Sequence, residues 1–256
     1  PMSRLDERAP NELRPVNFQC GIAPHASGSV LIAMGNTRVL CGVIIEENVP
    51  RWMKEQRVTG GWLTAEYSML PYSTLTRKPR DIAKGRLDGR SSEIQRLIGR
   101  SMRAAVDLEK LGARTIGVDC DVLQADGGTR TAAITGASLA VTLACRRLVD
   151  EKKLAELPIK TLVAAISVGV IDGVPVLDLN YEEDKAVTVD LNLVATEEGA
   201  LVEVQGAGEE ATFSHEHLLQ MLALGQKGIA DLVEAQRGVL AAAAVPSYSN
   251  LPGKTR

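Results

Sequence analysis

Apolar and polar residues alternate from Thr115 to Val122, with Ile116, Val118, Cys120 and Val122 standing between Thr115, Gly117, Asp119 and Asp121. A period of two predicts a strand with one buried face. The strand runs into Asp126-Gly127-Gly128, where two glycines permit positive φ and leave the backbone bare. From Thr131 to Asp150 the chain is rich in Ala and Leu, has no proline and a single early glycine, and predicts a long helix.

Other elements flank this strand–turn–helix. Val16–Cys20 predicts a short strand. Ser29–Met34 and Arg38–Glu46 predict two more, joined through Gly35-Asn36-Thr37 as a hairpin. Glu47–Thr76 lacks a clean period and predicts long loops with one or two short strands around Trp62–Met69. Ser92 and Gln95 have the spacing of a capping box. A helix from there to about Leu111, stopped by Gly112, buries Ile94, Leu97, Ile98, Met102, Ala105, Leu108 and Leu111. Thr161–Val170 and Val174–Leu179 flank Asp172-Gly173, and Val187–Thr196 and Ala200–Val204 flank Glu197-Glu198-Gly199, which predicts two further hairpins. Ser214 caps a last helix over His215–Leu240, with Leu218, Leu219, Leu222, Ile229, Leu232 and Val233 apolar. Residues 1–14 read as a polar arm, and Arg77–Gly89 as a basic, mobile stretch. The division is a domain over 1–245 and a disordered tail over 246–256.

Composition narrows the class. Hydrophobic residues make up 45% of the 256, so a large core is available, but aromatics are only 3% and the core must be aliphatic. Strands mixed with long helices argue for a mixed α/β architecture. The net charge of −3 carries no global sign of nucleic-acid binding. Its distribution does, because Arg77–Arg103 holds nine basic and three acidic residues, leaving a +6 segment on a −9 remainder. Such a stripe suits a polyanion at one face, or a solvated helix surface paired with acidic neighbours. Cys20, Cys41, Cys120 and Cys145 form no C-x-x-C, which fits free thiols in a reducing compartment. There is no signal-peptide core, and the longest low-polarity run, Ala132–Cys145, is too short for a bilayer. The expectation is a cytoplasmic chain with no membrane partner.

The turn at Asp126–Gly128 carries candidate chemistry. A helix start leaves N–H groups unpaired and adds partial positive charge. Gly127 and Gly128 let an anion approach, Thr129 adds a hydroxyl, and Arg130 adds a fork of donors suited to phosphate oxygens. The bland alternative is an ordinary corner with Thr129 as N-cap. The turn is neither a Walker A loop nor G-x-G-x-x-G. Asp184, at the end of the acidic loop Tyr181–Asp184, and Asp190, on the polar side of an apolar alternation, are the carboxylates suited to hold a metal or move a proton. On the residues alone, a solvated sheet face is the simpler reading of both. His215 and His217 are two apart on a helix start and share no face, and no G-x-S-x-G elbow is present.

Beyond single motifs, LDGRSSEIQRLIGRSMRAAVDLEKLGARTIGVDCDVLQADGGTRTAAITGA resembles the ribonuclease PH family. So do RLDERAPNELRPV, GSVLIAMGNTRVLC, GWLTAEYSMLP, LDLNYEEDKAVTVDLN and VEVQGAGEEATFSHEHLLQMLALGQKGI, which together span nearly the whole chain in order. The resemblance implies an α+β, single-domain ribonuclease PH-type β-α fold (ribosomal protein S5 domain 2-like). It also implies a homo-hexamer built as a trimer of dimers. The implied activity is phosphorolytic 3′→5′ trimming of tRNA precursors and other RNA 3′ ends, with inorganic phosphate as co-substrate, nucleoside diphosphates as products and Mg²⁺ as cofactor. It places phosphate on Arg90, Gly128, Thr129 and Arg130, the acidic pair on Asp184 and Asp190, and tRNA on the basic loop with Arg77, Lys78, Arg80, Lys84 and Arg86. Asp190 is left as metal ligand or general acid. Three positions depart from the family pattern: Glu7 for a glycine, with little consequence expected, Tyr72 for an arginine, and Lys185 for a small residue. Two rivals remain, a catalytically silent RNA-binding ring subunit and a small-molecule nucleotidyl-transferring enzyme.

Overall fold

The computed structural model describes residues 4, 6–86, 88–208 and 211–243, so the tail from Pro246 and the side chain of Lys84 lie outside the described part. Five strands, β1 (Val16–Cys20), β2 (Gly28–Met34), β3 (Thr37–Glu46), β4 (Trp62–Met69) and β5 (Thr115–Gln124), form one sheet in the order β1-β2-β3-β5-β4. It is antiparallel except for the parallel β4–β5 pair. A second sheet, wholly antiparallel, has the order β7-β6-β8-β9, from β6 (Val163–Ile171), β7 (Val174–Leu177), β8 (Val189–Thr196) and β9 (Leu201–Gly208). The helices are α1 (Arg51–Glu55), α2 (Gly89–Ala105), α3 (Leu108–Leu111), α4 (Thr129–Asp150), α5 (Tyr181–Ala186) and α6 (His215–Ala242).

The layering follows from alternation. On β5, Ile116, Val118, Cys120 and Val122 are buried, as the period of two predicts. They join Val30, Ile32, Val39 and Cys41 against α4. The far side of α4 packs on β6, whose other face is covered by α6, and all nine residues of β6 are buried in consequence. One hydrophobic core therefore runs through both sheets. Close approach is possible because α4 carries small residues: a Cβ on Gly136 would lie 2.8 Å from the side chains of Cys41 and Ile32.

Several expectations need correction. α4 spans 22 residues from Thr129 and is, by length and composition, apolar enough to cross a bilayer, contrary to the shorter run read above; 78% of its most apolar stretch is buried inside the protein. It is apolar all round because protein surrounds it. α2 begins at Gly89 with Asp88 as N-cap, not at Ser92, and it stops at Ala105 rather than Leu111. The break has a tertiary cause: Val106 pairs with Ile159, and the Asp107 N–H bonds Pro158 O at 2.9 Å. Asp107 then caps α3 by accepting from Lys110 N. The Glu47–Thr76 region holds the unforeseen α1 and a single eight-residue strand, β4. Leu219 is exposed, so it leaves the packed face of α6. The acidic run at Tyr181–Asp184 is not a loop but part of α5, closed by a capping box between Asn180 and Glu183.

Glu7 also has more consequence than expected. Its φ is 62°, a left-handed conformation that costs an L-residue roughly 1–2 kcal/mol. Glycine sheds that cost but gains unfolded-chain entropy of about 0.5–1 kcal/mol. Glu7→Gly is expected to stabilise the protein by up to about 1 kcal/mol, read as a higher urea midpoint at unchanged slope.

Candidate active site

The turn Asp126–Gly128 is held from two sides. Thr37, the first residue of β3, accepts from Asp126 N at 3.0 Å and donates to Gly127 O at 2.6 Å. Arg14 donates from Nη1 to Asp126 O at 2.5 Å and from Nη2 to Gly127 O at 3.4 Å. Gly128, in the left-handed region at φ 65°, is the N-cap of α4 and offers no side-chain cap, so Thr129 is not the cap but the first helical residue. The N–H groups of the first helical turn thus remain open to an anion. Gly127 is required by packing: a Cβ there would sit 2.5 Å from Leu179 O.

That contact brings in the acidic pair. Tyr181 N donates to Asp126 Oδ1 at 3.2 Å, which ties the start of α5 to the turn. Asp184 is exposed on α5. Asp190 is half-buried on β8, where Asn192 Nδ2 donates to its two carboxylate oxygens at 3.4 and 3.2 Å. Register places Ser167 and Gln205 directly opposite Asn192 on the two neighbouring strands. All four side chains therefore share one face of the second sheet. A Cβ on Gly128 would lie 3.8 Å from Ser167 Oγ, so this face meets the turn.

Arg130 leans over the same face. Its Nη1 donates to Gln205 Oε1 at 2.9 Å and reaches Glu93 Oε1 at 3.4 Å, and Gln205 Nε2 donates to that same Glu93 oxygen at 2.7 Å. Glu93 belongs to α2, whose first turn also carries Arg90, exposed. Both arginines act on one buried residue. Tyr67 Oη, buried on β4, lies 2.8 Å from Thr129 Oγ1, and the charges of both Arg90 and Arg130 act on it. Burial raises the Tyr67 pKa, while the Thr129 hydrogen bond and the two cations pull it back; the net direction is up.

Comparison with known proteins identifies the assembly. Models of the 3′ exoribonuclease family match the chain twice, domain 1 over residues 12–146 and domain 2 over 161–228. Ribonuclease PH of Bacillus pumilus (strain SAFR-032) is 54% identical over 238 residues, which cover 92% of this chain and 97% of that protein. The chain belongs to the ribonuclease PH family. Ribonuclease PH of Exiguobacterium sibiricum is 52% identical over 93% of this chain and 95% of its own length. More distant folds agree: rice Rrp46 superposes with a TM-score of 0.75 at 22% identity, covering 93% of this chain and all of that one. A chain of the Archaeoglobus fulgidus exosome with RNA bound to the active site gives 0.77 at 23% identity, over 91% of this chain and 92% of that one.

Several residues of this ribonuclease PH family site escaped the sequence reading. The polar arm is not a loose appendage. Arg4 makes a two-pronged contact to Glu183 at 2.6 and 2.7 Å, and Arg8 reaches Asp178 O and Glu183. Arg14 grips both carboxylate oxygens of Asp178, Nε at 3.0 Å and Nη2 at 2.7 Å. Arg4, Arg14, Asp178 and Glu183 are all buried. Burial works against the Arg14 charge, but the hydrogen bonds and charge of Asp178 outweigh it and its pKa rises. Tyr67, Glu93, Asn192 and Gln205 were equally unmarked, since they sit on different elements and only packing unites them. The basic loop residues Arg77, Arg80 and Arg86 are exposed, and Lys78 is half-buried with Asp88 at 3.9 Å. The loop starts beside the site, because Ala125 N bonds Ser73 O at 2.8 Å. Of the departures, Tyr72 is exposed, and Lys185 lies over the Tyr181 ring at 5.3 Å.

Proposed function

We propose that this chain is a phosphate-dependent 3′→5′ exoribonuclease that trims tRNA precursors and other RNA 3′ ends, releasing nucleoside diphosphates. What supports it is the uncapped start of α4 at Gly128, with Arg130 held by Gln205 over the sheet face that carries Asp190 and the start of α5 tied to the turn through Tyr181, in a member of this family. Gly128 leaves room for inorganic phosphate at the start of α4, and Thr129 and Arg130 donate to it, with Arg90 approaching from α2. The two guanidinium groups spread the charge that builds on the transferring phosphoryl group. Attack by a phosphate oxygen on the terminal internucleotide phosphorus forms the diphosphate, and the 3′-oxygen of the shortened RNA leaves.

Asp184 and Asp190 supply oxygen ligands alone, the donor chemistry of Mg²⁺, which needs only one or two carboxylates beside substrate phosphates and water. Among the described residues no group of three or more His, Cys, Asp or Glu assembles a cage without substrate. Mg²⁺ held there would shield phosphate charge. Asp190, which accepts from Asn192, would either bind that metal or protonate the leaving oxygen. The exposed arginines of the basic loop track the RNA backbone, and the active form is a hexameric ring in the cytoplasm.

The test is product analysis on a tRNA with extra 3′ nucleotides, with Mg²⁺, with and without phosphate. Nucleoside diphosphates formed only with phosphate support the reading, and monophosphates formed without it defeat it. Tight tRNA binding with no product favours the silent ring subunit. Asp190→Asn is expected to cut turnover by at least about a hundredfold while leaving assembly intact by size-exclusion chromatography. Normal turnover by that variant returns Asp190 to an ordinary sheet face.

A further inference from the structure

Thr129 and Tyr67 form a closed pair with one proton to spare. Tyr67 is 2% exposed and Thr129 6%, and their hydroxyl oxygens are 2.8 Å apart. Two hydroxyls carry two protons, yet one hydrogen bond uses only one of them. Among the described residues neither hydroxyl has another partner. A buried donor left over in this way calls for an acceptor.

The direction of the bond decides which proton is left. A phenol is the stronger donor of the two, because its oxygen shares electron density with the ring. An aliphatic hydroxyl is the stronger acceptor for the same reason. The upward shift of the Tyr67 pKa keeps its proton in place at neutral pH. Tyr67 therefore donates to Thr129, and the Thr129 proton is turned away from the tyrosine. Thr129 is the first residue of α4, next to the bare Gly128 and to Arg130. Among the described residues no acceptor meets its proton there, and a phosphate oxygen would.

We infer that Tyr67 is a positioning residue for phosphate: by donating to Thr129 it fixes that hydroxyl as a one-way donor toward the anion held at the start of α4. Resting on the phosphorolytic reading above, the inference adds a residue from β4 that would never touch the substrate itself. Without Tyr67 the Thr129 hydroxyl rotates freely and must be ordered when phosphate arrives. The free phosphate is met by a less organised site, so the loss falls on phosphate affinity.

The test uses the full chain as Tyr67→Phe, Thr129→Val and the double variant. Steady-state phosphorolysis of a 3′-extended tRNA over a range of phosphate concentrations separates KM for phosphate from kcat. The rise in melting temperature on adding inorganic phosphate, without RNA, reports binding independently of turnover. Tyr67→Phe is expected to raise KM for phosphate by about tenfold, the scale of one hydrogen bond to a charged group, with kcat changed less than about twofold. In the Thr129→Val background the same change should add nothing, because the group it acts through is gone. An unchanged KM in Tyr67→Phe overturns the inference. So does an equal rise in both backgrounds, which makes Tyr67 a packing residue only. If Thr129→Val itself binds phosphate normally, the phosphate site is wrongly placed and the parent reading falls too. A normal loss at Thr129→Val with none at Tyr67→Phe rejects this inference alone.

Discussion

Arg130→Ala abolishes phosphate-dependent release of nucleoside diphosphates and leaves tRNA affinity nearly intact. This is the largest effect expected on activity. The Arg130 side chain is 16% exposed and its guanidinium is held by Gln205 and Glu93, so its position is set before phosphate arrives. Charge placed in advance against a developing anion contributes most to the chemical step, and losing one such donor costs roughly 10²–10³ in turnover. On the proposed reading Arg130 also binds ground-state phosphate, so the combined loss is expected at or beyond the upper end of that range. Fold stability should barely move, since Glu93 is half-exposed and exposed ion pairs contribute about 0–1 kcal/mol. The measurement is turnover at saturating phosphate, paired with filter binding of tRNA. Equal loss in both assays assigns Arg130 to the RNA rather than to the attacking phosphate.

Arg14→Ala carries the largest expected effect on stability. The substitution leaves Asp178, 0% exposed, as a buried charge stripped of its closest ion pair, a change that typically costs about 3–5 kcal/mol. It also removes the donors on Asp126 O and Gly127 O, so the turn that precedes α4 loosens at the same time. Urea unfolding should show a much lower midpoint, and phosphate affinity should fall in whatever fraction stays folded. A double variant, Arg14→Met with Asp178→Leu, recovers part of the stability, since it removes both charges together. It does not recover phosphate binding, because Asp126 O still lacks its Arg14 donor and Gly127 O keeps only Thr37. Full recovery of both properties would show that Arg14 serves only its ion pair.

The regular elements were legible because each declares itself locally. β5 alternates, the Asp172-Gly173 turn adopts φ of 50° and 77° as a tight hairpin needs, and Ser214 caps α6 as its position before an apolar run suggests. Helix α2 was misjudged at its two ends for different reasons: Asp88, a local cap, sets its start, and the Val106–Ile159 pairing, a tertiary contact, sets its end. The same division runs through the site. Asp126–Arg130 stands out because glycine, threonine and arginine sit together in the chain. Asp184 and Asp190 drew notice as acids on a turn and a strand, but nothing local tied them to the turn some sixty residues away. Tyr67, Gln205 and the Arg14–Asp178 pair had no local signature at all. A tyrosine in a strand looks like core, and arginines in a polar arm look like solvent-facing charge until their buried carboxylates are seen.

The long-range grip of the first residues has a consequence for how the protein is made. Arg4 and Arg14 leave the ribosome early, but their partners Asp178 and Glu183 follow 164 to 179 residues later. At translation speeds of about 5–20 residues per second, that is a wait of roughly 10–35 s. Through that interval the five-stranded sheet can assemble, yet the glycine turn has no brace from Arg14 and Asp178 together. The phosphate site is thus secured late in synthesis, and an N-terminal fragment that folds its own sheet would still lack a rigid turn.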